Sequence, residues 1–226
     1  MLKLISSMAT RQLLAELAGM WQAASGITVV IESVGGVDAA KRVQAGEQFD
    51  GVVLARDAIE KLAASGHVLA GSRFDLVSSD VAVAVKAGAP VPNISTEAAL
   101  RHAIEAAPTI GYSTGPSGVA LVKLFEKWGI SKALAGRIVQ APPGVPVGTL
   151  VARGEVALGF QQLSELMVLS GITVVGTLPE AVAVTTVFSA ASCAASTRHE
   201  TVAKLFAFMA SDQAISIKHK HGMQAA

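Results

Sequence analysis

The stretch TIGYSTGPSGVALVK, Thr109 to Lys123, contains Gly111, Tyr112, Ser113, Thr114 and Gly115, which spell Gly-x-Ser-x-Gly. In a serine hydrolase this pattern puts a nucleophilic serine on a sharp turn between strand and helix, served by an acid, a histidine and an oxyanion loop. Glu180 and His199 follow Ser113 in the right order for a triad, yet the chain has no HGGG-like oxyanion loop. The junction also differs. A nucleophile elbow runs from serine directly into helix, whereas here Gly115, Pro116, Ser117 and Gly118 insert a second small-residue turn. That turn leaves backbone N–H groups unpaired beside two hydroxyls at a helix N-terminus, which suits binding an anion and needs no base.

ISSMAT, Ile5 to Thr10, repeats the chemistry: Ser6, Ser7, Met8 and Thr10 lie between a strand and a helix that starts at once. These residues either meet a ligand or cap the helix, and one role does not exclude the other. Gly35 and Gly36 in ESVGGV let backbone approach a guest closely at a third strand-to-helix junction. Arg56, after the next strand, carries a planar fork matched to carboxylate, with surface pairing to Asp57 or Glu60 as the plainer reading. Arg73 is a second candidate cation, and its plainer partner is Asp75. Gln161, Gln162 and Ser164 open a later helix, where the amides donate to a carboxylate or merely cap. Tyr112, the only tyrosine, either donates its hydroxyl to a ligand or packs at a strand end. Candidate acids or bases in these loops are Tyr112, Glu165 and Glu32. The histidines, His219 and His221 included, show no spacing with carboxylates that argues for a metal, and no cofactor is expected.

Every one of these loops follows a short apolar run and precedes an amphipathic one. Strands are expected at LKLIS, ITVVIES and FDGVVLA, with helices at Thr10 to Ala24, Val37 to Ala45 and Ala58 to Ser65. A strand at Asp80 to Lys86 leads to a helix at Thr96 to Ala106, and further strands are expected at Thr109 to Tyr112, Ile138 to Ala141, Ala157 to Phe160, Thr173 to Val175 and Ala183 to Ser189. Two helices, His199 to Ala210 and Ser211 to Lys220, close the chain. Alternation of this kind makes an α/β protein, with mainly parallel sheets flanked by helices and ligands held outside the carboxyl ends of the strands.

The 226 residues carry 18 basic and 17 acidic side chains, so a nucleic-acid binder's broad positive field is missing, and 4% aromatic content argues against a base-stacking platform. No apolar run approaches the roughly 20 residues needed to cross a bilayer. Cys193, the single cysteine, excludes an intrachain disulfide and sits in the apolar setting of a buried small residue. Small molecules are the expected partners. No leader-like segment precedes the first strand, so either a signal was removed or none existed.

Taken in order, SSMAT, GGVDAAKRVQAGEQFDGVVLA, STGPSG, VARGEVALGF with QQLSE, and VTTVFSAA resemble the type II periplasmic substrate-binding proteins across essentially the whole chain, above all the molybdate-binding branch. The resemblance implies two α/β lobes, about residues 1 to 81 with 188 to 226 and about 82 to 187, joined by hinge strands at Asp80 to Lys86 and Ala183 to Ser189. It also implies a small anionic ligand, an ABC permease as partner, a monomer, and a periplasmic location if a leader was removed, otherwise a cytoplasmic one. Ser6 and Ser7 match the family's first binding loop. The second loop departs, with Val34, Gly35 and Gly36 where the family tends to have a serine, and Arg56 stands where a small residue is common. These departures shift the expected ligand from a tetrahedral oxyanion toward an organic carboxylate. The chain is similar as well to aconitate isomerase-like members, which implies an alternative activity, isomerisation of an unsaturated tricarboxylate.

Overall fold

Alternating apolar and amphipathic runs fold as successive strand–helix pairs in the computed structural model, which describes all residues, Met1–Ala226. In chain order these are β1 (Leu2–Ser7), a 3-10 turn (Met8–Thr10), α1 (Arg11–Ser25), β2 (Val29–Val34), α2 (Gly36–Gln44), β3 (Gly51–Ala55) and α3 (Arg56–Ala64). Then come β4 (Phe74–Lys86), α4 (Glu97–Ala106), β5 (Ile110–Tyr112), α5 (Pro116–Lys127), α6 (Ser131–Leu134), β6 (Ile138–Gln140), α7 (Val147–Arg153), β7 (Leu158–Gln162), α8 (Leu163–Leu166) and β8 (Ile172–Thr177). β9 (Thr185–Ser192), α9 (His199–Ala210), α10 (Ile215–Lys220) and β10 (Met223–Ala225) complete the chain. No helix is long and apolar enough to cross a membrane.

Contacts divide the chain into two units, Met1–Ser79 with Val187–Ala226 and Asp80–Thr186, so the backbone passes between them within β4 and within β9. In the first unit β1 is the central parallel strand, with Ser7 level with Val34 of β2 and Ser6 level with Val53 of β3. β9 adds antiparallel to β3, and β10 adds antiparallel to the start of β4. β1 and β3 bury both faces: Leu2 and Leu4 pack with Leu13, Leu17, Leu205 and Phe206 of α1 and α9, whereas Ile5, Val52 and Leu54 pack with Val43, Ile59 and Leu62 of α2 and α3. This explains why they read as continuous apolar runs.

In the second unit β5 lies parallel between β6 and β7, while β4 pairs antiparallel with both β7 and β8. The parallel order expected from the alternation thus holds for three strands of each unit, and the antiparallel strands are added around them. Helices α4 and α5 cover one face through Leu100, Ile104, Leu121 and Phe125. On the other face α7 lies against two glycines. A Cβ on Gly111 would stand 2.8 Å from both Val156 methyls, and one on Gly159 would stand 2.4 Å from a Val151 methyl.

The expected strand at Asp80 to Lys86 begins at Phe74 instead and runs for 13 residues. Among the polar residues that break its apolar pattern, Asp75 is held in place, since its carboxylate accepts hydrogen bonds from Arg56, Arg73 and Ser189, whereas the buried Ser79 hydroxyl has no partner.

Candidate functional site

At the carboxyl edge of the first unit, β1, β2 and β3 end side by side and each gives way to a helical segment within two residues. Ser7 closes β1, Gly35 and Gly36 begin α2, and Arg56 is the first residue of α3. Close packing joins the first two junctions: a Cβ on Gly36 would stand 3.7 Å from that of Ser7. The free N–H groups of α2 and α3, each helix end worth roughly half a positive charge, therefore lie on one edge.

Ser6, Ser7 and Thr10 have different fates there. Ser6 is fully buried and its hydroxyl meets that of Ser33 at 2.8 Å. Thr10 is fully buried too, and its hydroxyl donates to the Ser7 carbonyl at 3.2 Å, so it ties the turn together. Ser7 is 7% exposed, caps no helix N–H, and its Oγ has no hydrogen-bond partner in the protein. A buried hydroxyl in that state costs about 1–3 kcal/mol, which a bound acceptor would recover. Met8 is half-buried in the 3-10 turn between them. Ser33, at the penultimate position of β2, gives no sign of a site in the sequence because it reads as strand; it restores a hydroxyl close to the place where Val34, Gly35 and Gly36 lack one.

Arg56 is not a free cation, and its partner is neither Asp57 nor Glu60. Its Nε and Nη2 donate to the two oxygens of Asp75, at 3.2 and 2.5 Å. Arg73 donates to the same carboxylate at 2.9 Å, its plainer expectation, and Ser189 does so at 2.7 Å. Burial works against the charge on Asp75, but the Ser189 hydroxyl and the two guanidinium groups outweigh it and hold the carboxyl below its usual range. Arg73 also lies 3.9 Å from Glu60, so the two arginines are matched by two carboxylates beside the start of α3.

In the second unit Tyr112 ends β5 level with Phe160 of β7 and Gln140 of β6. The turn after it starts α5 at Pro116, and Gly118 sits so close to the turn that a Cβ would fall 1.8 Å from the Ser113 carbonyl oxygen. Ser113 Oγ accepts from the Gly115 N–H at 3.3 Å and meets Ser117 Oγ at 3.3 Å. Neither hydrogen bond of Ser113 involves a base, and His199 Nδ1 bonds instead with Ser192 at 2.9 Å. The two glycines that flank Ser113 in the hydrolase-like pattern do structural work instead, Gly111 by making room beside Val156 and Val147 and Gly115 as the N-cap of α5. Tyr112, Ser113, exposed Thr114 and Gly118 line a groove of about 300 Å³ with Lys123 and Gln140.

The end of β7 forms the second corner of this edge. Gln161, Gln162 and Ser164 are buried, at 2%, 3% and 7% exposure. Gln161 accepts from the Gly148 N–H, in the first turn of α7, at 3.2 Å and donates to Glu165 at 2.9 Å. Gln162 donates to Thr186 at 2.7 Å, but its Oε1 and the Ser164 Oγ have no partner in the protein. Burial pushes the Glu165 carboxyl up to about 7, against a smaller lowering by Gln161. Glu32, by contrast, is gripped through both oxygens by Arg42, whose hydrogen bonds hold it below its usual range. A larger cavity of the first unit, about 570 Å³, has mostly carbon lining, including Phe74, Val202 and Phe206, and offers little to an anion.

Two α/β units of this topology, with helix N-termini at their strand ends, have the periplasmic-binding-protein type of fold. The model of the bacterial extracellular solute-binding proteins matches residues 2–224, and the chain belongs to that family. An aconitate isomerase of Pseudomonas sp is 36% identical over 215 residues, 92% of this chain and 82% of that protein. Among solved structures, the periplasmic molybdate-binding protein of Azotobacter vinelandii aligns with a TM-score of 0.82 at 22% identity, covering 100% of both chains. Peb3 bound to L-phospholactate aligns at 0.79 and 12% identity over 100% of both chains, and Peb3 is a Campylobacter jejuni protein.

Proposed function

We propose that the protein is a solute-binding protein for a small organic anion bearing carboxylate groups, working outside the cytoplasmic membrane and delivering its ligand to an importer. The observation that carries this reading is the buried, unpartnered hydroxyl of Ser7, packed against the start of α2 on the edge where α2 and α3 begin. Hydroxyl and backbone donors of that kind satisfy negative charge without an ionised partner of their own. The solved relative that holds L-phospholactate, itself a carboxylate, is consistent with such a guest on this fold. Calorimetric titration with oxyanions, dicarboxylates and tricarboxylates tests the reading. Heat from a carboxylate, with none from molybdate or sulfate, is the expected result, and silence from every anion would remove it.

A second reading rests on the relative at 36% identity: isomerisation of an unsaturated tricarboxylate. Incubation with trans-aconitate separates the two, because a carrier binds it unchanged and an isomerase converts it to the cis form.

A further inference from the structure

An isomerase of this kind needs one group that removes a proton from carbon and returns it elsewhere on the same molecule. Among the carboxylates that the sequence places in the strand-end loops, Glu32 is locked by Arg42, which also binds Glu47. Glu165 is different. Its one protein partner is a neutral amide, Gln161 Nε2, and its second oxygen is left free. Gln161 cannot turn away, because its own oxygen is fixed by the Gly148 N–H at the start of α7. No cation pairs with Glu165, and it follows Ser164 and Gln162, whose buried oxygens lack partners. The corner thus presents a carboxyl group on a fixed support beside unsatisfied polar atoms.

We propose that Glu165 is the catalytic base and acid of an allylic proton shift on an unsaturated polycarboxylate, an inference that rests on the isomerase reading above. The Glu165 carboxylate takes a proton from a methylene next to the carbon–carbon double bond. The C–H electron pair becomes the new double bond, the old π pair moves to the far carbon, and that carbon takes the proton back from Glu165. No atom or electron is gained or lost, and no co-reactant is needed. The buried setting that moves Glu165 toward neutrality matches it to this work, since a general base functions best with a pKa near the working pH.

The test uses the intact chain with trans-aconitate in deuterated water, followed by proton NMR. Wild type should form cis-aconitate and exchange deuterium into the substrate, and Glu165→Gln should lose about 10²–10⁴-fold in kcat with KM within about threefold. Glu165→Asp should fall between them. Active wild type with Glu165→Gln inside about threefold of its kcat overturns the assignment alone. Wild type that binds trans-aconitate by calorimetry yet neither converts nor exchanges it overturns the isomerase reading and the assignment together. Should Glu165→Gln fail to fold, the pH profile of wild-type kcat/KM decides: an ascending limb with an apparent pKa near 7 supports Glu165, and a flat profile between about pH 5 and 9 refutes it.

Discussion

Replacing Ser7 with alanine should move stability and affinity in opposite directions. The side chain is 7% exposed and its hydroxyl has no partner, so folding removes that group from water without compensation. Leaving a buried hydroxyl unpaired costs about 1–3 kcal/mol. Alanine keeps the Cβ that would face a Cβ on Gly36 at 3.7 Å, so the change deletes one oxygen and opens little space. Unliganded Ser7→Ala should therefore gain about 1 kcal/mol, which for a chain of this size raises the thermal midpoint by about 2–4 °C. With an anion bound, the same hydroxyl donates to a charged acceptor, a bond worth about 1.5–3 kcal/mol. The variant should then bind roughly 10- to 100-fold more weakly. Differential scanning calorimetry without ligand and titration calorimetry with it read the two quantities separately. A lower midpoint combined with unchanged affinity would make Ser7 an ordinary packing residue and remove the chief support for an anion site in the first unit.

Gly111→Ala should destabilise by about 1–3 kcal/mol, because the added methyl collides with Val156 and comes within 3.2 Å of Val147. Gly115→Ala, which meets only Ser113 Oγ at 3.5 Å, should stay within about 0.5 kcal/mol; urea midpoints of the pair check the contrast. Asp75→Asn should cost about 1–2 kcal/mol at neutral pH, discounted because the Arg56 side chain is 45% exposed. The folded Asp75 value lies below the free one, so that stabilisation is present above about pH 4 and fades as pH falls through the folded value; the gap between wild type and variant should close in acid. For Glu165 the sign reverses. With its value raised from 4.5 to about 7, wild-type stability should fall as pH climbs through that window and level off above it. Glu165→Gln should lack the slope, and parallel curves for the two proteins would show that Glu165 titrates as an ordinary carboxylate.

Leu2–Ser7 and Gly51–Ala55 are legible because parallel strands buried on both faces read as short apolar runs, whereas Val29–Val34, an edge strand with Val30 exposed, is legible through its β-branched residues. Edges and partners are harder. A start at Asp80 is the natural expectation for β4, because Asp75 and Ser78 look like loop until the groups that satisfy Asp75 are in place. α7 leaves no local signal: with seven residues it is too short to show a helical period, and its trace lies in Gly111 and Gly159, which make room for it from other strands. Proximity in sequence offers Arg56 partners within one helical turn, yet it pairs across 19 residues with Asp75, a contact set by strand order that no local window contains. The same holds for Ser33 with Ser6, 27 residues apart.

If the proposed role of Glu165 holds, its proton separates a converter from a carrier more sharply than any anion donor does. Groups that hold negative charge equally in substrate and transition state give uniform binding, which lowers KM without raising kcat. A carrier gains nothing from a carboxyl group beside its ligand, because each step toward ionisation adds repulsion to an anionic guest. Glutamine at 165 would keep the shape and the contact with Gln161 while removing that repulsion; both preceding strand-end residues, Gln161 and Gln162, are already amides. Glu165→Gln should accordingly bind a tricarboxylate as well as wild type at pH near 6 and more tightly near 8, where the wild-type group has lost its proton. Titration calorimetry at the two pH values checks this independently of turnover. Equal affinities at both would mean that Glu165 stands outside the field of the ligand, and a group that the anion does not sense cannot be the one that moves its proton.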